Sequence, residues 1–481
     1  MIARDGSRWL RRALVLTLLM IARRAYAAEV KVFASLVRAI WPPPHTPLLL
    51  APDMNVMDER WIKDFLAALF PPAPPAPPPA PSGGDGDGDG GTGGEEDGDE
   101  DVGAARGHHR RHRSSPPPPH PPPPAPLQPL DYLTHHMYPL GAGDDPELRT
   151  KMMDPKRLDQ SIGERLRLAS RLVTNRTRGL AKVCVSETGG AYNSGQRGAT
   201  DSFGSSFWWL DLLGGLGRSA HDFACRQTLV GGRYALVDLA RRQPNPDFWA
   251  TLLYRRLFSP KALRAVRLAP RGGAAGANAS TAKAASGNWL RSYAACARAG
   301  KDSSSSSSSS STRDGTVSDG RYGDDTLNVN GGAVILLANF ASETTSVTTI
   351  DLGGLREACE HRVCEDPDGV QIARIDYLLT SGEVVSGTRS PSLASRTVKL
   401  NGQLLRAGAD GTIPPLEGEP TVGRVVRLPP LSYGFFVFPE ARNSVCFTPR
   451  QLAEQRHEQK AAAARGSKRS TGRKQRHESH G

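Results

Sequence analysis

Val183-Cys184-Val185-Ser186-Glu187-Thr188-Gly189-Gly190-Ala191-Tyr192-Asn193-Ser194-Gly195 is the stretch on which the reading of this chain turns. Lys182 to Ser186 has the short, apolar, β-branched pattern of a buried strand. It delivers a carboxylate, Glu187, to its C-terminal end and passes at once into a glycine-rich loop. Residues without a Cβ leave room for a ligand beside that carboxylate. In a (β/α)8 barrel this end of the strands is where active sites are built. A strand-end Glu taken alone serves equally well as a helix cap or a surface charge, so its neighbourhood has to decide.

Working outward, Tyr132 to Tyr138 reads as a strand and Leu158 to Val173 as a helix. Phe207 to Leu216 reads as another helix, followed by a strand from His221 to Leu229. Upstream, Glu29 to Trp41 has helical spacing in Val30, Val32, Phe33, Leu36, Val37, Ile40 and Trp41. Thr46 to Ala51 is a short strand running into Pro52-Asp53, and Asp58 to Phe70 is a helix. Asp53, following Pro52 in a turn, reads most simply as a helix cap. Strand and helix alternate, which predicts parallel βαβ units. Beyond Ala262 the pattern becomes short strands separated by turn residues, with Asn401-Gly402 as a type I′ hairpin signal, and an antiparallel β-sandwich accounts for it most simply.

The rest of the chain bounds what it can do. Of 481 residues, Pro71 to about Pro129 is polyproline, an acidic Gly/Asp tract and a His/Arg cluster, and Ser303 to Ser311 is polyserine; neither has the apolar content to bury a core. The net charge of +12 sits at the ends: residues 1–28 carry six Arg against Asp5, and 448–481 carry nine Lys/Arg against three Glu. No basic face belongs to the fold, so no nucleic-acid partner is expected. The six cysteines show no zinc spacing, and no metal or other cofactor is expected. Arg4 to Arg12, the apolar run Ala13 to Ala22 and Ala25-Tyr26-Ala27 imitate a secretory signal, though Arg23 and Arg24 interrupt it; a helix or mistranslated sequence is the other reading. Asn175 and Asn278 open glycosylation sequons, which matter only in a secreted chain.

The motif from Ser186 to Gly195 resembles the nucleophile motif of heparanase-like enzymes, glycoside hydrolase family 79, in the form found in plant-type members. Collinear matches extend the resemblance: Ala51-Pro52-Asp53, Thr134-His135-His136-Met137-Tyr138, Phe207-Trp208-Trp209-Leu210-Asp211, Cys225 to Tyr234, Pro244 to Trp249, Lys399 to Gly402 and Pro429 to Tyr433. It implies α/β plus all-β architecture: a partial (β/α)8 TIM barrel holding about the last four strands, then the β-sandwich. The domains would be 1–28, signal-like or mispredicted; 29–70 and 130–261, the partial barrel; 71–129, an insertion without stable structure; 262–447, the sandwich with its polyserine loop; and 448–481, a basic tail without stable structure.

The resemblance also implies function: retaining hydrolysis of β-glucuronide linkages in a glucuronic-acid-containing polysaccharide or glycoconjugate, with Glu187 as nucleophile. His136 and Tyr138, two apart on one strand face, would line the sugar subsite, and Tyr192, Asn193 and Ser194 would bind the uronic carboxylate. Arg226 could reach the site or serve as a structural ion pair. Cys296 and Cys446 would pair as a disulfide, with Cys359 and Cys364 as a second, local bridge. The setting would be secreted or a lysosome- or vacuole-like lumen, with peripheral membrane association; no feature specifies an oligomeric state. The family's acid/base Glu lies in an Asn-Glu-Pro motif, which these residues lack. Retention requires two carboxyls, and the resemblance puts only Asp53 and Glu187 at the barrel edge; with Asp53 read as a cap the chain as it stands is expected to be inactive, and were Asp53 recruited its carboxyl would lie close to that of Glu187. The alternative is a catalytically inactive glycan-binding homologue or a truncated gene product. A proline-rich wall or scaffold protein would explain the inserts but none of the motifs.

Overall fold

The computed structural model describes residues 24–41, 46–55, 58–71, 128–265, 289–298, 331–350, 352, 372–441, 443–447 and 451–453. The polyproline and acidic tracts, polyserine, Asn278, Cys359 and Cys364 lie outside the described residues. So does nearly all of the basic tail.

The first half alternates as the sequence predicts. Helix α1 covers residues 24–40, followed by β1 (Leu50–Met54) and α2 (Glu59–Leu69). After the insertion come β2 (Tyr132–His136) and the short β3 (Gly141–Ala142). Helices α3 (Leu148–Met152) and α4 (Pro155–Leu158) run through a π-helical turn into α5 (Arg165–Thr177). Then follow β4 (Lys182–Thr188), the short β5 (Ala191–Tyr192), α6 (Ser205–Leu216), β6 (His221–Arg226) and α7 (Pro246–Leu257). Strands β1, β2, β4 and β6 form one parallel sheet in that order. Among the described residues it is an open four-stranded sheet with β1 and β6 as its edges.

Side-chain periodicity explains the packing. Asp58 caps α2, its carboxylate accepting from Trp61 N at 2.8 Å. Ile62, Phe65, Leu66 and Leu69 of that helix are buried against Leu172 and Val173 of α5 and Leu133 and Val183 of the sheet. Helix α1 departs from expectation. It buries the narrow stripe Ala27, Ala34 and Val37, while Val32, Phe33, Leu36, Ile40 and Trp41 are exposed. Seven apolar residues spread too far around the axis for one contact face. Tyr26 stacks on Phe65, ring centres 5.6 Å apart, so residues resembling a cleavage site are built into a helix. No helix among the described residues is long and apolar enough to cross a membrane.

Among the described residues the second half holds an eight-stranded sheet and a smaller two-stranded one. The antiparallel centre of the large sheet is Leu290–Ala297, Ala333–Asn339, Ser432–Phe438 and Ala373–Ser381. Residues of Ala333–Asn339 alternate: Val334, Leu336 and Ala338 join the core shared with α6 and α7, whereas Ala333, Ile335 and Leu337 face the other way. There they meet Val426 and Leu428 of a two-stranded sheet, Ser346–Thr349 with Val425–Leu428. Helices α6 and α7 cover one face of the large sheet, and this smaller sheet packs on the other. Asn401 and Gly402 both have positive φ, +47° and +84°, and join paired strands, which is the I′ geometry. Cys296 and Cys446 are bonded, their Cα atoms 5.2 Å apart.

Candidate active site

Glu187 lies at the C-terminal edge of the parallel sheet, where the register of β2 and β4 slips so that His136 faces it. Tyr138, two residues beyond the end of β2, donates its hydroxyl to Glu187 Oε1. Burial, then the bond to Glu187 and its charge, raises the Tyr138 pKa far above that of a free phenol. The phenol is therefore a permanent donor. His136 Nε2 lies 3.6 Å from Glu187 Oε2 and 3.1 Å from Asp53 Oδ1. Two carboxylates sharing one ring nitrogen cannot be farther apart than those distances combined.

Asp53 corrects the sequence reading. The cap of α2 is Asp58, whereas Asp53 belongs to β1 with φ +61°. Its backbone N–H donates to Thr134 Oγ1 at 2.7 Å, and its carboxylate accepts from Ser186 Oγ at 2.5 Å. A short polar side chain tolerates that left-handed conformation, and the result points Asp53 at the site. Its side chain is 62% exposed, open to solvent and ligand.

The glycine-rich loop is shaped by contact. Gly190 has φ +83°, and a Cβ there would lie 2.9 Å from the Trp208 ring; at Gly189 it would meet the Gln227 carbonyl at 2.8 Å and Tyr138 at 3.2 Å. Backbone alone fits between these groups. Tyr192 is exposed, with its ring edge-on to Tyr138 at 6.4 Å. Asn193 and Ser194 are exposed and have φ +59° and +68°. The structure thus gathers Glu187, Tyr138 and His136 through direct contacts, with Tyr192 beside Tyr138 and Asn193 and Ser194 on the adjoining loop. Sequence reasoning put Asp53 at the barrel edge with Glu187 but ranked a helix cap above a role there, and it missed Ser186, whose one signal was its position next to Glu187 at the strand end. Arg226 forms the structural ion pair that was one of its two readings, 2.7 Å from Asp247.

Asn175 is exposed on the last turn of α5. The hydroxyl of Thr177 in its sequon is buried and bonded to the Val173 carbonyl at 2.9 Å.

Residues 125–214, which carry β2, β4 and Glu187, match the model of the glycosyl hydrolase family 79 N-terminal domain. The chain is similar to Heparanase-like protein 1 of Arabidopsis thaliana, 32% identical over 321 residues that cover 66% of this chain and 51% of that protein. It is similar to Baicalin-beta-D-glucuronidase of Scutellaria baicalensis, 37% identical over 135 residues, 28% of this chain and 25% of the other. With Heparanase of Bos taurus it shares 27% identity over 319 residues, 65% and 45% of the two chains. The chain spans about half the length of the heparanase-like relatives it matches.

Proposed function

Given that this chain is a heparanase-like member of glycoside hydrolase family 79, we propose that it serves the retaining hydrolysis of β-glucuronide linkages, with Glu187 as nucleophile. The parallel sheet is then the second half of a (β/α)8 barrel and the large antiparallel sheet the core of the accompanying β-domain. The observation that carries the reading is the carboxylate of Glu187, set at the C-terminal edge of a parallel sheet with one oxygen held by Tyr138. A donor on Oε1 leaves Oε2 to attack the anomeric carbon, forming a glycosyl-enzyme that water then opens.

Tyr192, Asn193 and Ser194, exposed on the loop beside Glu187, are the groups we assign to the uronic carboxylate. A retaining pair needs a second carboxyl about 5 to 5.5 Å from the first. No Asn-Glu-Pro motif supplies it, and Asp53, which shares His136 with Glu187, is the candidate among the described residues. The setting is a secreted or lumenal one, where glucuronic-acid-containing glycans occur.

The test is release of an activated phenol from an aryl β-glucuronide, compared with the matching β-glucoside. An activated phenol departs without an acid, so the assay reports the nucleophile. With Asp53 beside Glu187 the inactivity expected from the missing motif gives way to turnover of the glucuronide, with its loss in Glu187→Gln and poor turnover of the glucoside. Equal turnover of both sugars would overturn the substrate assignment, and activity in Glu187→Gln would overturn the nucleophile.

A further inference from the structure

Arg226 ends β6 opposite Thr188 of β4, and its side chain is 6% exposed. Nη2 donates to Asp247 Oδ2 at 2.7 Å and to the Tyr234 carbonyl at 2.9 Å. The guanidinium carbon lies 5.0 Å from the ring centre of Trp208 and 4.8 Å from that of Trp209. Nε and Nη1 are buried with no partner among the described residues. Asp247, on α7, also accepts from Ser205 and Ser206 Oγ, each at 2.9 Å. Ser205 Oγ in turn accepts the Trp208 indole N–H at 3.0 Å.

As a stabilising device this is a poor arrangement. Desolvating two charges offsets most of their attraction, and apolar residues of similar volume are often as good or better. Two orphaned N–H groups worsen the balance. What the pair does hold is Trp208, fixed by the guanidinium against its face and by Ser205 at its N–H. Trp208 is the surface on which Gly190 rests. The same loop is tied to β6 by Gln227 N, which donates to the Thr188 carbonyl at 2.8 Å.

We propose that the Arg226–Asp247 pair is the positioning element of the Glu187 loop, locking Trp208 and through it the backbone from Thr188 to Gly195. It rests on the reading of Glu187 as nucleophile. Arg226 touches no reacting atom and acts through Trp208 and the loop. Small displacements at a reacting centre can cost about a hundredfold in rate, so a rigid support for the nucleophile outweighs a stability gain that apolar residues would supply.

The experiment compares wild type with Arg226→Met/Asp247→Leu, which replaces the pair by apolar side chains. Three quantities are read: melting temperature, amide exchange of the peptide spanning residues 186–196, and the rate at which 2-deoxy-2-fluoro-β-glucuronyl fluoride labels the protein. Expected are a melting temperature close to wild type, loop exchange faster by about tenfold with unchanged exchange in Ala333–Asn339 and Ser432–Phe438, and labelling slower by about a hundredfold. Wild-type loop exchange and labelling in the double variant would overturn the proposal. Were the double variant not to fold, Arg226→Lys carries the test, since it keeps the charge and loses the planar stack; unchanged loop exchange there would likewise overturn it. Loosened exchange with no labelling of the wild type would sustain the positioning role and sink the glucuronidase reading.

Discussion

The Tyr138 hydroxyl reaches across from the exit of β2 to donate to Glu187 Oε1 on β4. Tyr138→Phe removes this donor without altering the ring that packs against Gly189. Loss of one preorganised donor at a charged reacting group is worth about 10² in rate. The variant should lower kcat on an activated aryl β-glucuronide by about that factor with an unchanged melting temperature. An unchanged kcat would show that the bond is incidental. Since burial and Glu187 hold the phenol protonated, Tyr138 should add no ionisation to the alkaline side of the pH profile.

His135 and His221 meet at 2.9 Å between their Nε2 atoms, buried behind the site. Burial lowers their pKa values from 6.5 to about 4 and about 3, with smaller effects from Arg165 and His136 on His135 and from His135 on His221. A pKa depressed on folding means that the neutral imidazole is the folded form. Its stability is complete above pH 6.5 and falls as pH drops toward 4 and then 3. The urea midpoint should therefore fall from pH 7 to pH 4.5, and less so in His221→Gln. The same decline in wild type and variant would rule the pair out as its source.

Gly190 takes φ +83° directly against Trp208. Gly190→Ala combines a left-handed backbone strain of about 1 to 3 kcal/mol with a clash against a ring that the core holds in place. Both the melting temperature and kcat should fall. A variant with wild-type values of both would mean that the loop has room the structure does not show.

The bond between Cys296 and Cys446 closes 150 residues of sequence. Chain entropy gives such a loop about 5 kcal/mol of stabilisation at most. Reductant should lower the melting temperature, and Cys296→Ala/Cys446→Ala should match the reduced protein and ignore reductant. Insensitivity of the wild type would contradict this.

What the sequence made legible follows from which interactions are local. The strand ending at Glu187, the helix containing Ile62, Phe65, Leu66 and Leu69, and the Asn401-Gly402 turn each carry their signal within a few residues, and the structure has them. For Asp53 the cap reading ranked above a place beside Glu187 because its partners, His136 and Ser186, stand 83 and 133 positions away, while a turn beside a helix offered a nearer explanation. The face of α1 failed for a related reason: its apolar residues are spread too broadly for periodicity to choose which stripe is buried. Strand alternation in the second half reports that both faces of a sheet are covered but not by what; among the described residues α6 and α7 cover one face and a two-stranded sheet packs on the other. The aromatic and ionic support under Gly190 comes from α6, β6 and α7 together and has no local signature.

Covalent trapping tests the central claim most directly. The protein is incubated with 2-deoxy-2-fluoro-β-glucuronyl fluoride, whose fluoride leaves without an acid and whose glycosyl-enzyme is slow to hydrolyse, and the intact and digested masses are read. One 2-fluoroglucuronyl group per chain is expected, on the peptide containing Glu187 and absent in Glu187→Gln. Labelling at another residue, or an unlabelled wild type, would contradict it.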